Sequence, residues 1–249
     1  MNIVATARSI PAVILSVLFT AGCDPHVDSI YLGRDEARLL SHVSAGNLAA
    51  VKKFLDQGGN VNLQDEPGMT PLHHAVNADW KGSHLEMIKL LIHRGANVTA
   101  IDDTHHAPLH LASNKETAEL LIDAGADVNA KTRRDGETAL FSAAHGAAQG
   151  ASKSYEMYLG LTKLLIARGA DVNVKLKSGE ANLHRVARSY SEEAASEVCV
   201  LLIANGARLN ELNANDQTPL DEALNNGRNK TAEVLRNHGA RTNGELNLR

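Results

Sequence analysis

Aromatic side chains are scarce in this sequence, one Trp, four Tyr and three Phe, or 3% of the residues. A core built on large rings is therefore excluded. The apolar content of 43% must instead fill thin layers with Leu, Ala, Ile and Val. Cysteine is almost absent too. Of the two, Cys199 stands between Val198 and Val200 and reads as a small buried hydrophobe. Cys23 is thus left without a disulfide partner. Charge of one sign is lacking: 25 basic residues face 29 acidic ones, interspersed, for a net −4. With no basic run, nucleic acid is not expected as a partner. The sequence also lacks a helical His-Glu-x-x-His, a Gly-x-Ser-x-Gly turn and a phosphate-cradling glycine loop, which argues against an enzyme.

What is there is a phrase. From Ala118 to Ala130 an apolar triplet, Leu120-Leu121-Ile122, runs into Gly125-Ala126 and ends in Val128-Asn129. It returns at Leu90-Leu91-Ile92 with Gly95-Ala96, at Leu164-Leu165-Ile166 with Gly169-Ala170, and at Leu201-Leu202-Ile203 with Gly206-Ala207. Weaker copies stand at Phe54-Leu55 with Gly58-Gly59 and at Val234-Leu235 with Gly239-Ala240. The six glycines lie 37, 30, 44, 37 and 33 residues apart. A period of this size means a solenoid, in which each unit buries its apolar face only against its neighbours.

A second phrase precedes each glycine. Gly68-Met69-Thr70-Pro71-Leu72-His73 is the fullest copy, followed by Ala107-Pro108-Leu109-His110. Looser copies are Gly136-Glu137-Thr138-Ala139-Leu140, Gly179-Glu180-Ala181-Asn182-Leu183-His184 and Gln217-Thr218-Pro219-Leu220. Together these motifs resemble the ankyrin repeat, over roughly Gly33 to Ala240. The resemblance implies an all-α solenoid of about six helix-turn-helix units, residues 33–240, with hairpin-like loops and a concave surface that usually binds other proteins. It also gives His73, His110 and His184 a structural role, bracing the loops by hydrogen bonds to backbone.

Residues 1–22 stand outside the repeats. Arg8 is their only charge, Ile10 to Phe19 is nearly all apolar, and Thr20-Ala21-Gly22 is small. This is the pattern of a secretory signal, and it falls short of the roughly 20 apolar residues that span a bilayer. Leu18-Phe19-Thr20-Ala21-Gly22-Cys23 resembles a bacterial lipobox, although Thr20 departs from the usual Leu. The resemblance implies cleavage before Cys23 and acylation of its sulfur and new amino terminus. The alternative is a non-lipidated signal or an anchor with Cys23 incidental. In enterobacterial lipoproteins, which this segment resembles, an aspartate after the cysteine marks retention in the inner membrane, so Asp24 implies the outer leaflet of that membrane, facing the periplasm. Several acyl chains anchor stably where one does not. The tether, residues 23–32, reaches at most roughly 30 Å, which would hold the repeats near the membrane.

Local signals differ from unit to unit. In the first unit, about Arg34 to Asn62, charges on one side of the first helix mark an amino-terminal cap, and Lys230, Glu233, Arg236 and Asn237 mark a polar closing cap. Thr70 is an N-cap with Pro71 at the first helical position. Unit five has Ala181 and Asn182 there, and losing such a cap costs roughly 0.5–2 kcal/mol. Unit five is therefore expected to be a soft point. Residues 241–249 are expected to form a loose tail.

The units also differ in length. From the Thr position to the glycine of Gly-Ala, the last unit takes 21 residues, the usual count in the family. Units two, four and five take 25, 31 and 25, whereas unit three takes 18. The extra residues fall between the two helices, around Asn77 to His84, Gly146 to Gly160 and Ser189 to Ser196. Four of the five Trp and Tyr residues lie in them: Trp80, Tyr155, Tyr158 and Tyr190. Such rings dominate interface hot spots, so they make a candidate protein-binding edge. The competing reading is that they fold back to plug gaps over the longer loops. His105, which replaces a loop glycine, is a further candidate contact at an exposed finger tip. Adjacent histidines on a helix point apart, and no Cys/His ligand spacing occurs, so no metal or cofactor is expected.

The sequence thus reads as a monomeric, non-catalytic binding module, tethered to the bacterial envelope through lipid on Cys23. It would serve as a scaffold or stabiliser of a membrane or periplasmic protein, or as an immunity-type inhibitor that masks a toxic effector. A metal-dependent or hydrolytic enzyme is the rival class.

Overall fold

A computed structural model describes residues 34–79, 82–150 and 154–248. The segment 1–22, the tether 23–32 with Cys23, and Trp80 lie outside the described residues. Twelve α-helices run in order among those residues: α1 (Arg34–Ser44), α2 (Leu48–Asp56), α3 (Pro71–Ala78), α4 (Leu85–His93), α5 (Lys115–Asp123), α6 (Ala139–Ala148), α7 (Tyr155–Ala167), α8 (Asn182–Ala187), α9 (Glu192–Ala204), α10 (Pro219–Asn225), α11 (Asn229–Asn237) and α12 (Asn243–Leu246). They pair as α1/α2, α3/α4, α6/α7, α8/α9 and α10/α11. In unit three a four-residue 3-10 turn, Pro108–Leu111, stands in for the first helix and is followed by α5. The all-helical repeat solenoid read from the sequence is the observed fold. None of the described helices is long and apolar enough to cross a membrane.

The first and second helices form two rows, with α1 on α3 in one row and α2 on α4 in the other. One departure follows from side-chain size. α6 is rich in Ala, with Ala139, Ala143, Ala144, Ala147 and Ala148 all buried. This small face lets α9 of the next unit lie directly against α6. The core is otherwise mainly Leu, Ala and Val, and Phe141 is the largest fully buried side chain. Cys199 is buried in the same layer, where loss of solvation pushes its thiol up to about 12.

The repeat glycines end the second helices as expected. Gly58, Gly95, Gly125, Gly169, Gly206 and Gly239 have φ between 85° and 99°, a left-handed position that costs any other residue more. Each loop between units closes as a small hairpin, for example Asp65 N–H to Met69 O at 3.1 Å and Leu176 N–H to Glu180 O at 2.8 Å. The loops join one another, since Asp103 N–H donates to Pro67 O and Ala214 N–H to Ser178 O.

Caps follow the sequence signals. Thr70, Thr138 and Thr218 accept from the third N–H of α3, α6 and α10. Ala181, before α8, has no side-chain cap. The carboxyl-terminal tail corrects the expectation of looseness. Thr242 caps α12 by accepting from Glu245 N–H at 3.2 Å, while Glu245 accepts from Thr242 N–H at 2.8 Å. Asn243 N–H donates to Asp221 at 2.8 Å and Arg236 pairs with Glu245 at 3.1 Å. The reason is a capping box, Thr242-Asn243-Gly244-Glu245, with partners on unit six to dock it.

Candidate functional site

The histidines of the Thr-Pro-Leu-His position are structural. His73 Nδ1 accepts from Thr70 N–H at 3.1 Å, and Nε2 faces His106 O in the next loop at 3.0 Å. His110 does the same with Ala107 and Ala130 (3.0 and 2.9 Å), and His184 with Ala181 and Gln217 (3.1 and 3.0 Å). An acceptor at Nδ1 and a carbonyl at Nε2 fix one neutral tautomer, with the proton on Nε2. Burial holds all three below the ordinary imidazole value. Every ring nitrogen is spent on backbone, so these rings offer nothing to a metal. Among the described residues, no group of three His, Cys, Asp or Glu could hold one.

His105 takes the left-handed loop position, φ 63°, where Gly68, Gly136 and Gly179 stand in other loops. Its expected exposure needs correction. The residue is half-buried and its Nδ1 is out of contact with solvent, because the stacked loops close around it.

The insertion rings divide. Tyr155 and Tyr158, at the start of α7, are half-buried and pack against the core. The Tyr155 hydroxyl donates to Glu197 on α9. Burial and that carboxylate together raise the phenol well above its usual value. Tyr158 lies face-on to Gly146 of α6, so close that a methyl there would come within 3.0 Å of the ring. Both rings thus pack inward, Tyr155 and Tyr158 against the core and Tyr158 against α6 as well. Tyr190 differs. It is 80% exposed, and the guanidinium of Arg228 lies over its ring at 4.7 Å.

Two features were not singled out from the sequence. The first is an open cleft of about 660 Å³ beside the start of α5, lined by Leu85, Asn114, Lys115, Glu116, Glu156 and Met157, among others. Because unit three has only a 3-10 turn, α5 is overhung by the longer units two and four. The lengths 18 between 25 and 31 were the signal for it. The second is an ion cluster at α8 and α10. Buried Glu180 meets Arg185 and Arg188 at 3.2 and 2.9 Å, and Arg188 also faces buried Glu222 at 3.7 Å. Arg185 lies 5.2 Å over the Phe141 ring. Burial, and then both arginines, hold His145 below the ordinary imidazole value. Nothing in these groups sets a nucleophile beside a base. They present shape and charge instead.

Comparison with known proteins agrees. The profile of ankyrin repeats (3 copies) matches residues 39–132 and 147–245. Neurogenic locus notch homolog protein 1 of Homo sapiens is 30% identical over 211 residues, 84% of this chain, and the Mus musculus protein is 29% identical over 210 residues. The chain spans only 6% of the length of either. Among solved structures, one similar chain comes from the Bd0816 predatory endopeptidase of Bdellovibrio bacteriovorus in complex with immunity protein Bd3460. It is 31% identical at a TM-score of 0.61, covering 80% of this chain and 96% of that one. An ankyrin repeat domain from Acinetobacter baumannii AYE is 25% identical at a TM-score of 0.69, covering 83% and 100%. The fold is thus one used to bind other proteins, and the chain belongs to the ankyrin-repeat family.

Proposed function

We propose that this protein is a lipid-anchored binding module of a bacterial envelope, and that it acts as an immunity-type partner of an envelope peptidase. The observation that carries this reading is the 31% identity, across nearly the whole of the other chain, to a protein from an endopeptidase–immunity complex. Charged and aromatic surface, with no catalytic constellation among the described residues, suits the same role. A solenoid masks an active site by covering it and needs no chemistry of its own. The envelope address rests on the sequence alone, on the apolar run Ile10 to Phe19 and the residues leading to Cys23.

The test is capture from the cell envelope with the acylated protein, followed by assay of the captured partner. A peptidase whose turnover falls to a small residue at one equivalent supports the proposal. A partner whose activity is unchanged or raised would favour a scaffold or stabiliser and overturn the immunity reading. For the anchor, labelling with a palmitate analogue should mark the wild type and not Cys23→Ser; no label on the wild type would remove the lipid.

A further inference from the structure

We propose that Arg228 and Tyr190 form a preassembled receptor for a carboxylate on the partner protein, on the inter-helix edge of units five and six. The inference rests on the protein-binding reading above and adds a place and a chemistry to it.

Most arginines among the described residues are ion-paired; Arg133, Arg228 and Arg241 are not within ion-pair distance of a described carboxylate. Arg94, Arg168, Arg185, Arg188, Arg208 and Arg236 each face an Asp or Glu. Arg228 faces none of the described carboxylates within ion-pair distance. It stacks on Tyr190 at 4.7 Å, and its Nε is out of solvent with no hydrogen-bond acceptor. An unanswered guanidinium on a ring is a cation already fixed in orientation, with its planar fork free to pair with a carboxylate.

Its position sharpens the point. Arg228 is the N-cap of α11 and, like His84, Ser154 and Ser191 before α4, α7 and α9, makes no side-chain cap, whereas Asn47 and Asn114 cap α2 and α5. A cation there opposes the helix dipole. That charge disfavours Arg for the fold alone. Tyr190 is equally ill-suited to folding, with 80% of its surface in water. The same turn carries Leu224, 40% exposed, whose carbonyl takes Gly227 N–H at 3.0 Å. A fixed Arg, an exposed Tyr and an apolar side chain are the composition of an interface hot spot.

The surroundings select a single negative charge on a protein. Lys230, which might have added a second cation, is held by Glu193 at 3.2 Å, and its N–H is held by Glu192 at 2.6 Å. Those two carboxylates lie beside the start of α11. Their repulsion grows with the charge of the visitor, so a doubly charged phosphate or an anionic bilayer is disfavoured more than a single carboxylate seated on Arg228. The fitting occupant is an Asp or Glu on a partner loop, with an apolar neighbour to cover the ring.

The test uses a phage-displayed library of random 12-residue peptides, selected on the folded repeat protein after depletion on an R228Q/Y190A double variant shown to be folded by circular dichroism. Surviving peptides should carry Asp or Glu next to an apolar residue. They should bind R228Q and Y190A, taken singly, at least tenfold more weakly than wild type. R228K, which keeps the charge and loses the plane, should also be weaker. An absence of survivors, survivors without an acidic residue, or binding that R228Q leaves unchanged would each overturn the proposal. The selection does not use the envelope, so it can succeed where capture of a peptidase fails, and the reverse.

Discussion

Asn173 reaches across a repeat boundary to Gly206. Its side-chain amide donates to the glycine carbonyl at 3.0 Å, and its oxygen takes Arg208 N–H at 2.8 Å. Asn62 repeats this bracket with Gly95 and Asn97, and Asn129 with Gly169 and Asp171. Asn210 keeps half of it, accepting from Arg241 N–H at 2.7 Å. At unit two the residue is Thr99, whose side chain bonds only to Asn97 within its own loop. The ladder of brackets is broken there, next to the short third unit.

Removing a bracket should loosen one boundary. Asn173→Ala gives up two hydrogen bonds near the surface and is expected to cost about 1 kcal/mol in urea unfolding. Thr99→Ala removes no bond between units and should change stability by less than about 0.5 kcal/mol. Equal costs for the two would show that the brackets do not hold the stack together.

Acid should weaken the stack through its histidines. His73, His110 and His184 are held neutral, with their values lowered mainly by burial. The folded form binds a proton less readily than the unfolded chain does, so stability is full above the ordinary value of about 6.5 and falls as pH drops below it. Protonation at Nδ1 would also displace the N–H that each ring accepts. Urea midpoints at pH 7.5 and 5.5 should differ, the lower pH being less stable, and His184→Asn should narrow the gap. A midpoint that is flat over this range would contradict the assigned tautomers.

The repeat, its glycine stops and its structural histidines were legible because each leaves a mark at fixed spacing. Thr70, His73 and Gly95 can be read without coordinates. The docking of the tail was equally legible in Thr242-x-x-Glu245 but gave no periodic signal. Ring direction was not legible. The sequence places Tyr155, Tyr158 and Tyr190 in one class, insertion aromatics, and only packing separates them. Tyr158 turns inward because Gly146 leaves room for a ring, whereas Tyr190 has a guanidinium beneath it. Trp80 stays an expectation, since it lies outside the described residues. The cleft beside α5 depends on one unit being shorter than both neighbours, a relation among three units that no single motif carries.

That division of the rings can be measured. Tyr158→Ala empties the space against α6 and should destabilise by about 2–3 kcal/mol, less than a fully buried ring because Tyr158 is half-buried. Tyr190→Ala removes a ring already in water and should stay within about 0.5 kcal/mol. Two thermal or urea unfolding curves decide it. A large loss at Tyr190 would make that ring structural and remove the reason for reading it as contact surface.

Unit five has both a missing cap and a built-in reporter. Ala181 leaves the third N–H of α8 without the hydroxyl that Thr70 gives α3. Ala181→Thr should restore it and stabilise by about 1 kcal/mol. Cys199 on α9 is wholly buried and its thiol is pushed up to about 12, so a thiol reagent reaches it only when the unit opens. If opening is fast relative to labelling, 1 kcal/mol corresponds to roughly fivefold slower modification. Hydrogen exchange should likewise show α8 less protected than α3 in the wild type, with the difference shrinking in the variant. Unchanged labelling in Ala181→Thr would show that the missing cap does not govern opening, and equal protection of α8 and α3 in the wild type would show that unit five is not a soft point.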